Sequence, residues 1–139
     1  MIRILIIEDN AIKAQDIQRC LKEHYSDGAL DIATAYASGV RRTYKEKYDV
    51  VIIDNSLPYY ESAPSDIHPD MARIILDEFY DLGISPNSII CSAFDPGEKE
   101  VYFQNLVSQF DFCIGFVRYD GCSSDWENQL FSLIDSIKI

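Results

Sequence analysis

The sequence predicts an α/β fold, a doubly wound parallel sheet of five strands with helices on both faces. Three observations predict it. Short apolar runs alternate with amphipathic helical patterns from one end of the chain to the other. The middle run, Asp49 to Ile53, is a nearly continuous β-branched stretch of the kind buried on both faces of a sheet. No internal repeat of tens of residues points to another architecture. With 139 residues, 47% of them hydrophobic, the chain suits one domain over 1–139 and leaves no room for a second.

Each element has a local reason. Arg3 to Ile7 reads as the first strand. Ala11 to Tyr25 carries Ala14, Ile17, Cys20 and Leu21 at helical spacing, with Asp9 or Asn10 placed to cap it, and Asp27-Gly28 marks a turn. Asp31 to Ala35 is a short second strand, and Ser38 to Lys47, with Val40 and Tyr44 four apart, a second helix. The third strand is Asp49 to Ile53. Asn55 to Pro69 holds three of the five prolines and reads as the longest irregular stretch. Met71 to Leu82 sets Met71, Ile74, Ile75, Phe79 and Leu82 on one face of a third helix that Gly83 ends. Ser88 to Cys91 is the fourth strand and leads into Ser92-Ala93. After the Asp95-Pro96-Gly97 turn, Glu98 to Gln109 is a fourth helix with Phe103, Leu106, Val107 and Phe110 inward. The fifth strand begins at Phe112. Ser124 and Glu127 form a capping box for a last helix whose inner face is Trp126, Leu130, Leu133, Ile134 and Ile137.

Composition removes several function classes. A formal net charge of −11 repels phosphate backbones and anionic membrane surfaces, so neither nucleic acid nor membrane is expected as a partner. The opening apolar run stops at Glu8-Asp9, too short and too acidic for a signal peptide or a span, and a cytoplasmic location is expected. Cysteines 20, 91, 113 and 122 form no C-x-x-C pair and have no histidine at ligand spacing, which argues against a zinc site or a disulfide framework. Cys91 and Cys113 lie in apolar runs and read as small buried hydrophobes. His24 on a helix and His68 in a loop have no partner at catalytic spacing and read as surface residues.

The chemistry is placed by topology. In a sheet ordered 2-1-3-4-5 the reactive crevice lies at the carboxyl ends of strands one and three, which are neighbours. Glu8 and Asp9 end the first strand and Asp54 ends the third, so three carboxylates converge, with Ser92 beside Asp54 on strand four. Crowded carboxylates are costly unless they hold a cation or do chemistry. Oxygen ligands of this kind suit Mg²⁺, and a carboxylate beside such a metal can attack a phosphoryl group.

These residues resemble the receiver domains of bacterial two-component response regulators, over nearly the whole chain. The resemblance is carried by Ile6-Ile7-Glu8-Asp9-Asn10, by Tyr48 to Pro58 with Asp54 at its centre, and by Ser92-Ala93. It implies a flavodoxin-like fold and phosphate acceptance on Asp54 from a histidine kinase or phosphotransfer protein. It also implies Mg²⁺ on Glu8, Asp9, Asp54 and the Ser56 backbone carbonyl. By the same resemblance Ser92 and Ala93 contact the phosphoryl group, and Phe112 is the strand-five aromatic that turns inward with them. The output would be a switch in contacts with a downstream protein, from a receiver that stands alone or belongs to a longer protein.

Three departures stand out. The family carries a Lys, usually followed by Pro, at the end of strand five, and this chain has no Lys between Lys99 and Lys138. Aligning on Phe112 puts Gly115 at the Lys position and Phe116 at the Pro position, while a longer strand offers Arg118, whose planar fork is not a neutral replacement for an ammonium. The Tyr59 to Asp70 loop is longer than the family's short turn, with Tyr59 and Tyr60 near the acceptor. Met71 stands where the family often has Gly. Two alternatives follow: a degenerate receiver that binds proteins independently of phosphorylation, and a Mg²⁺-dependent phosphatase of the haloacid-dehalogenase type. The phosphatase needs an acid two residues after the nucleophile, where Ser56 stands, so an enzyme in its own right is not expected.

Overall fold

The computed structural model describes residues 1–137. Its five-stranded sheet consists of β1 (Arg3–Ile7), β2 (Ala29–Ala33), β3 (Val50–Ile53), β6 (Ser88–Ser92) and β7 (Cys113–Arg118), all parallel and ordered β2-β1-β3-β6-β7. Counted along the sheet strands alone this is the expected 2-1-3-4-5 order. The remaining two strands, β4 (Leu57–Pro58) and β5 (Ile67–His68), pair antiparallel and tie down the loop that the sequence marks as irregular.

Side-chain alternation divides the core in two. Ile4, Ile6, Val50, Ile52, Ile89, Cys91 and Val117 face α1 (Ala11–His24) and α5 (Asp125–Asp135), meeting Ile17, Cys20, Leu21, Trp126, Leu130 and Ile134. Leu5, Ile7, Val51, Ile53 and Ile90 face the other layer, α2 (Tyr36–Lys45), α3 (Met71–Asp81) and α4 (Glu98–Gln109), meeting Ile75, Leu76, Phe79, Phe103 and Leu106. Helices therefore cover both faces, and the polar crevice is confined to the strand ends. Cys91 and Cys113 are buried free thiols, as expected.

Several local expectations are corrected. The second strand and second helix each begin two residues earlier than the pattern suggested. Helix α2 buries Ser38, Gly39 and Thr43, while Tyr44 is exposed. The reason is close approach: a Cβ on Gly39 would lie 2.7 Å from Ile7 Cδ1, so glycine lets this helix settle on β1 without displacing the Ile7 side chain. Leu82 lies beyond α3, which Gly83 follows in the left-handed conformation, φ 73°. Ser124 makes no side-chain cap bond; Ser123 Oγ instead accepts from the Asp125 amide at 3.1 Å, and Glu127 reaches toward Arg19 at 3.7 Å. His24 is exposed, as expected, and stacks on Phe131 at 3.9 Å between centroids, whereas His68 is half-buried against Tyr59 at 4.4 Å. Before α3 the left-handed residue is Asp70, φ 62°, so Met71 itself needs no glycine-like backbone.

Candidate functional site

Register delivers the carboxylates. Ile7 pairs with Ile53, so the residues that follow, Glu8 and Asp54, leave adjacent strands at the same end. The Glu8 amide donates to the Ala33 carbonyl at 2.9 Å and the Asp54 amide to the Ile7 carbonyl at 3.0 Å, which extends the ladders just past the strands. One carboxylate oxygen from each of Glu8, Asp9 and Asp54 lies within 4.8 Å of the others. Glu8 and Asp54 are buried and Asp9 half-buried. Asn10 caps α1, its Oδ1 accepting from the Lys13 amide at 3.0 Å, which leaves the Asp9 carboxylate free for the cluster.

The residue that sequence reasoning missed is Lys13. Its ammonium donates to Asp54 Oδ1 at 3.0 Å and to the Cys91 carbonyl at 2.8 Å, and it pairs with Glu8 Oε1 at 2.7 Å. The signal was present in the sequence. Lys13 lies four residues before Ile17 on the apolar stripe of α1, and a lysine on a buried helix face requires a partner.

Charge and burial act together on these groups. Burial and the neighbouring Asp54 push the Glu8 carboxyl up to about 8, against the pull of Lys13. Burial also raises Asp9. The Lys13 ammonium is held above its ordinary range: burial opposes its charge, but Asp54 and Glu8 favour it more. Although Lys13 is close to Glu8 Oε1, that buried oxygen has no aligned hydrogen-bond donor. The all-oxygen donor set of Glu8, Asp9 and Asp54, with one carboxylate oxygen of each within 4.8 Å of the others, fits Mg²⁺, which prefers hard oxygen ligands.

The other expected residues separate into near and far. Ser92 is buried at the end of β6, Ala93 after it is exposed, and Ser56 is exposed two residues past Asp54. Asn55 anchors that segment to α3: its carbonyl accepts from the Met71 amide at 3.0 Å and its side chain from the Ala72 amide at 3.3 Å. Phe112 is at the wrong end. It precedes β7, and its carbonyl accepts from the Ser88 amide at the amino end of the sheet. The aromatic nearer the site is Phe116, which pairs with Ile90 and packs against Phe94 and Phe103 at 6.0 and 5.9 Å between centroids.

Of the two positions considered for the strand-five lysine, Arg118 bonds to the loop after β6 and Gly115 lies mid-strand. Arg118 pairs with Ser92 in the sheet, but its side chain is exposed and its Nε donates to the Phe94 carbonyl at 2.8 Å. Gly115 lies mid-strand opposite Ile89, where a Cβ would meet Leu133 Cδ2 at 2.7 Å, so it serves packing against α5. At the strand end stands Tyr119. Its amide donates to the Ser92 carbonyl at 3.0 Å, its hydroxyl to Asp16 at 2.8 Å, and its ring centroid lies 5.4 Å from Lys13 Nζ.

A parallel 2-1-3-4-5 sheet with three carboxylates at the carboxyl ends of β1 and β3 has the architecture of response-regulator receiver domains. Solved structures agree on that fold. The receiver domain of a Francisella response regulator superposes with a TM-score of 0.71 at 20% identity, covering 99% of this chain and 100% of that one. The signal receiver domain of a LuxO repressor protein from Vibrio parahaemolyticus gives 0.71 at 16% identity, covering 96% and 89%. Among curated proteins, the Detocs response regulatory protein DtcB of Enterobacter cloacae is 21% identical over 97% of this chain and 99% of its own length. No protein-family model matches the chain. Among the described residues, no helix is long and apolar enough to cross a membrane.

Proposed function

We propose that the chain is a receiver that accepts a phosphoryl group on Asp54 from the phosphohistidine of a kinase or phosphotransfer protein and thereby switches its contacts with a downstream protein. The observation that carries this reading is the buried Asp54 carboxylate, clustered with Glu8 and Asp9 at the switch point of the sheet and hydrogen-bonded to an ammonium. An oxygen of Asp54 forms the new bond to phosphorus as the bond from phosphorus to the donor nitrogen breaks, and the imidazole keeps that electron pair. Mg²⁺, held by Glu8, Asp9, Asp54 and the Ser56 backbone carbonyl, would offset charge on the transferred oxygens. Attack of water on phosphorus later returns the carboxylate and inorganic phosphate. Ser56 offers no general acid for turnover of phosphomonoesters, which supports acceptance over a stand-alone phosphatase.

On this reading Ser92, buried at the end of β6, hydrogen-bonds the phosphoryl group, and Phe116, through its packing on Phe94 and Phe103, carries the change to the surface of α4 in place of Phe112. The test is incubation with acetyl phosphate and Mg²⁺, followed by intact-mass measurement. The wild-type chain is expected to gain one phosphoryl group and Asp54→Asn none; a wild-type chain that stays unmodified overturns the reading.

A second reading has one observation in its favour. Lys13 already offsets part of the pocket's carboxylate charge, as the core of a phosphorylation-independent binding module would require. Partner binding unaffected by acetyl phosphate and by Asp54→Asn would establish it.

A further inference from the structure

We propose that Lys13 contacts the phosphoryl group on Asp54, supplying from helix α1 the ammonium that this chain lacks at the end of strand five. The assignment rests on the phosphoacceptor reading above.

Among the described residues, Lys13 is the one cationic side chain within hydrogen-bond distance of Asp54. The Cys91 carbonyl holds the ammonium at 2.8 Å, and this neutral acceptor keeps its place whatever charge Asp54 bears. Cys91 immediately precedes Ser92, so the ammonium is moored to the residue before the one whose hydroxyl is proposed to meet the same phosphoryl oxygens. When Asp54 is phosphorylated to the acyl phosphate, its carboxylate charge is replaced by the larger charge of the phosphoryl oxygens bonded to it. An ammonium 3.0 Å from Oδ1, on a flexible four-carbon stem, follows that charge with a small rotation.

Tyr119 explains why the ammonium comes from α1. It is the first residue past β7 and hydrogen-bonds to Ser92, so it stands where a strand-end lysine would enter the pocket. Its ring instead packs on Trp126 at 5.0 Å between centroids and faces the Lys13 ammonium, while its hydroxyl is tied to Asp16. An aromatic wall at the strand end and an ammonium from the facing helix complement one another.

A simpler role is that of a counter-ion for the resting carboxylates alone. The two roles differ at saturating Mg²⁺. Removing a mere counter-ion strengthens binding of Mg²⁺ and, once the metal offsets the carboxylates, leaves binding of a phosphoryl group close to that of wild type. Removing a phosphoryl contact weakens binding of the phosphoryl group while leaving Mg²⁺ binding equal or tighter.

The experiment titrates the full chain with Mg²⁺ alone, then with beryllium fluoride at saturating Mg²⁺ as a phosphoryl analogue. Lys13→Met is expected to bind Mg²⁺ as tightly as wild type or more so, and beryllium fluoride about tenfold or more weaker, the loss of one charge-assisted contact. Adding Tyr119→Lys to Lys13→Met returns an ammonium to the strand end and is expected to recover most of that loss. Lys13→Gln, which keeps neutral donors toward Asp54 and Cys91, is read the same way should Lys13→Met not fold. A folded variant without the ammonium that binds beryllium fluoride as tightly as wild type overturns the role of Lys13 and leaves the acceptor reading intact. A wild-type chain that binds neither beryllium fluoride nor the phosphoryl group of acetyl phosphate overturns both.

Discussion

At the scale of single residues the site is a balance of buried charge. Glu8 and Asp54 bring two carboxylates into a water-poor crevice, and among the described residues Lys13 supplies the one ammonium in contact with both. Removing one partner of such a group leaves charge uncompensated, a loss of about 3 kcal/mol where the rest stays buried. Lys13→Met is therefore expected to lower unfolding free energy by about that amount in chelator, measured by urea denaturation. Mg²⁺ is expected to restore more stability to the variant than it adds to wild type, because it meets three carboxylates with no competing cation. Equal stabilisation of the two proteins by Mg²⁺ would sink the idea that metal and ammonium share the same carboxylates. The carboxylates could be found from sequence because apolar runs end visibly at Glu8-Asp9 and Asp54. Lys13 was hidden by chemistry: a long charged side chain on a helix reads as solvated until the helix face is phased against Ile17 and Leu21.

At the scale of elements, strand pattern and helix periodicity carried the fold because burial imposes them along whole segments. What they could not show depends on one contact at a time. Helix α2 is the clearest case: apolar residues placed its inner face at Val40 and Tyr44, whereas the contact with β1 is made through Gly39 on Ile7. Gly39→Ala would set a methyl against Ile7 Cδ1, Cγ1 and Cγ2 at 2.7 to 3.0 Å and is expected to cost about 1–3 kcal/mol by overpacking. Ile7→Val removes the Cδ1 atom and should recover part of that cost in the double variant. Additive losses in a urea-denaturation cycle would mean that the two side chains do not meet. Phe112 was misplaced for a related reason. Aromatic residues stand at both ends of β7, and only the register with Ser88 and Ile90 tells which end is the site. The two-residue pairing of β4 with β5 has no pattern long enough to read, so a stretch rich in proline looked irregular.

At the scale of the whole molecule, acidic groups outnumber basic ones by 11, and several of these carboxylates are used as acceptors for tyrosine hydroxyls that link distant elements. Tyr48 donates to Asp31 at 2.8 Å, Tyr119 to Asp16 at 2.8 Å, and Tyr25 to Asp135 at 2.7 Å. Burial, then the adjoining carboxylate, pushes Tyr48 and Tyr119 up to about 12 and raises Tyr25 as well. Burial likewise pushes the thiols of Cys20 and Cys91 up to about 12 and that of Cys113 to about 11. All these groups hold their protons more tightly folded than unfolded, so the sign is common to them. Their contribution is fully present below the unfolded values, about 8.5 for thiols and about 10 for tyrosines, and is lost as pH rises toward the folded ones. Unfolding free energy in reductant is thus expected to fall from about pH 9 and more steeply above about pH 10, each fully buried group adding up to about 1.4 kcal/mol per pH unit. Tyr119 and Tyr25, only partly buried, add less. Tyr48→Phe removes one hydroxyl from the steep part, so its stability should lie below wild type at pH 8 and approach it by pH 11. Urea denaturation at stepped pH checks both expectations; a stability that stays level between pH 9 and 11 would show that these protons are released as readily from the folded chain as from the unfolded one.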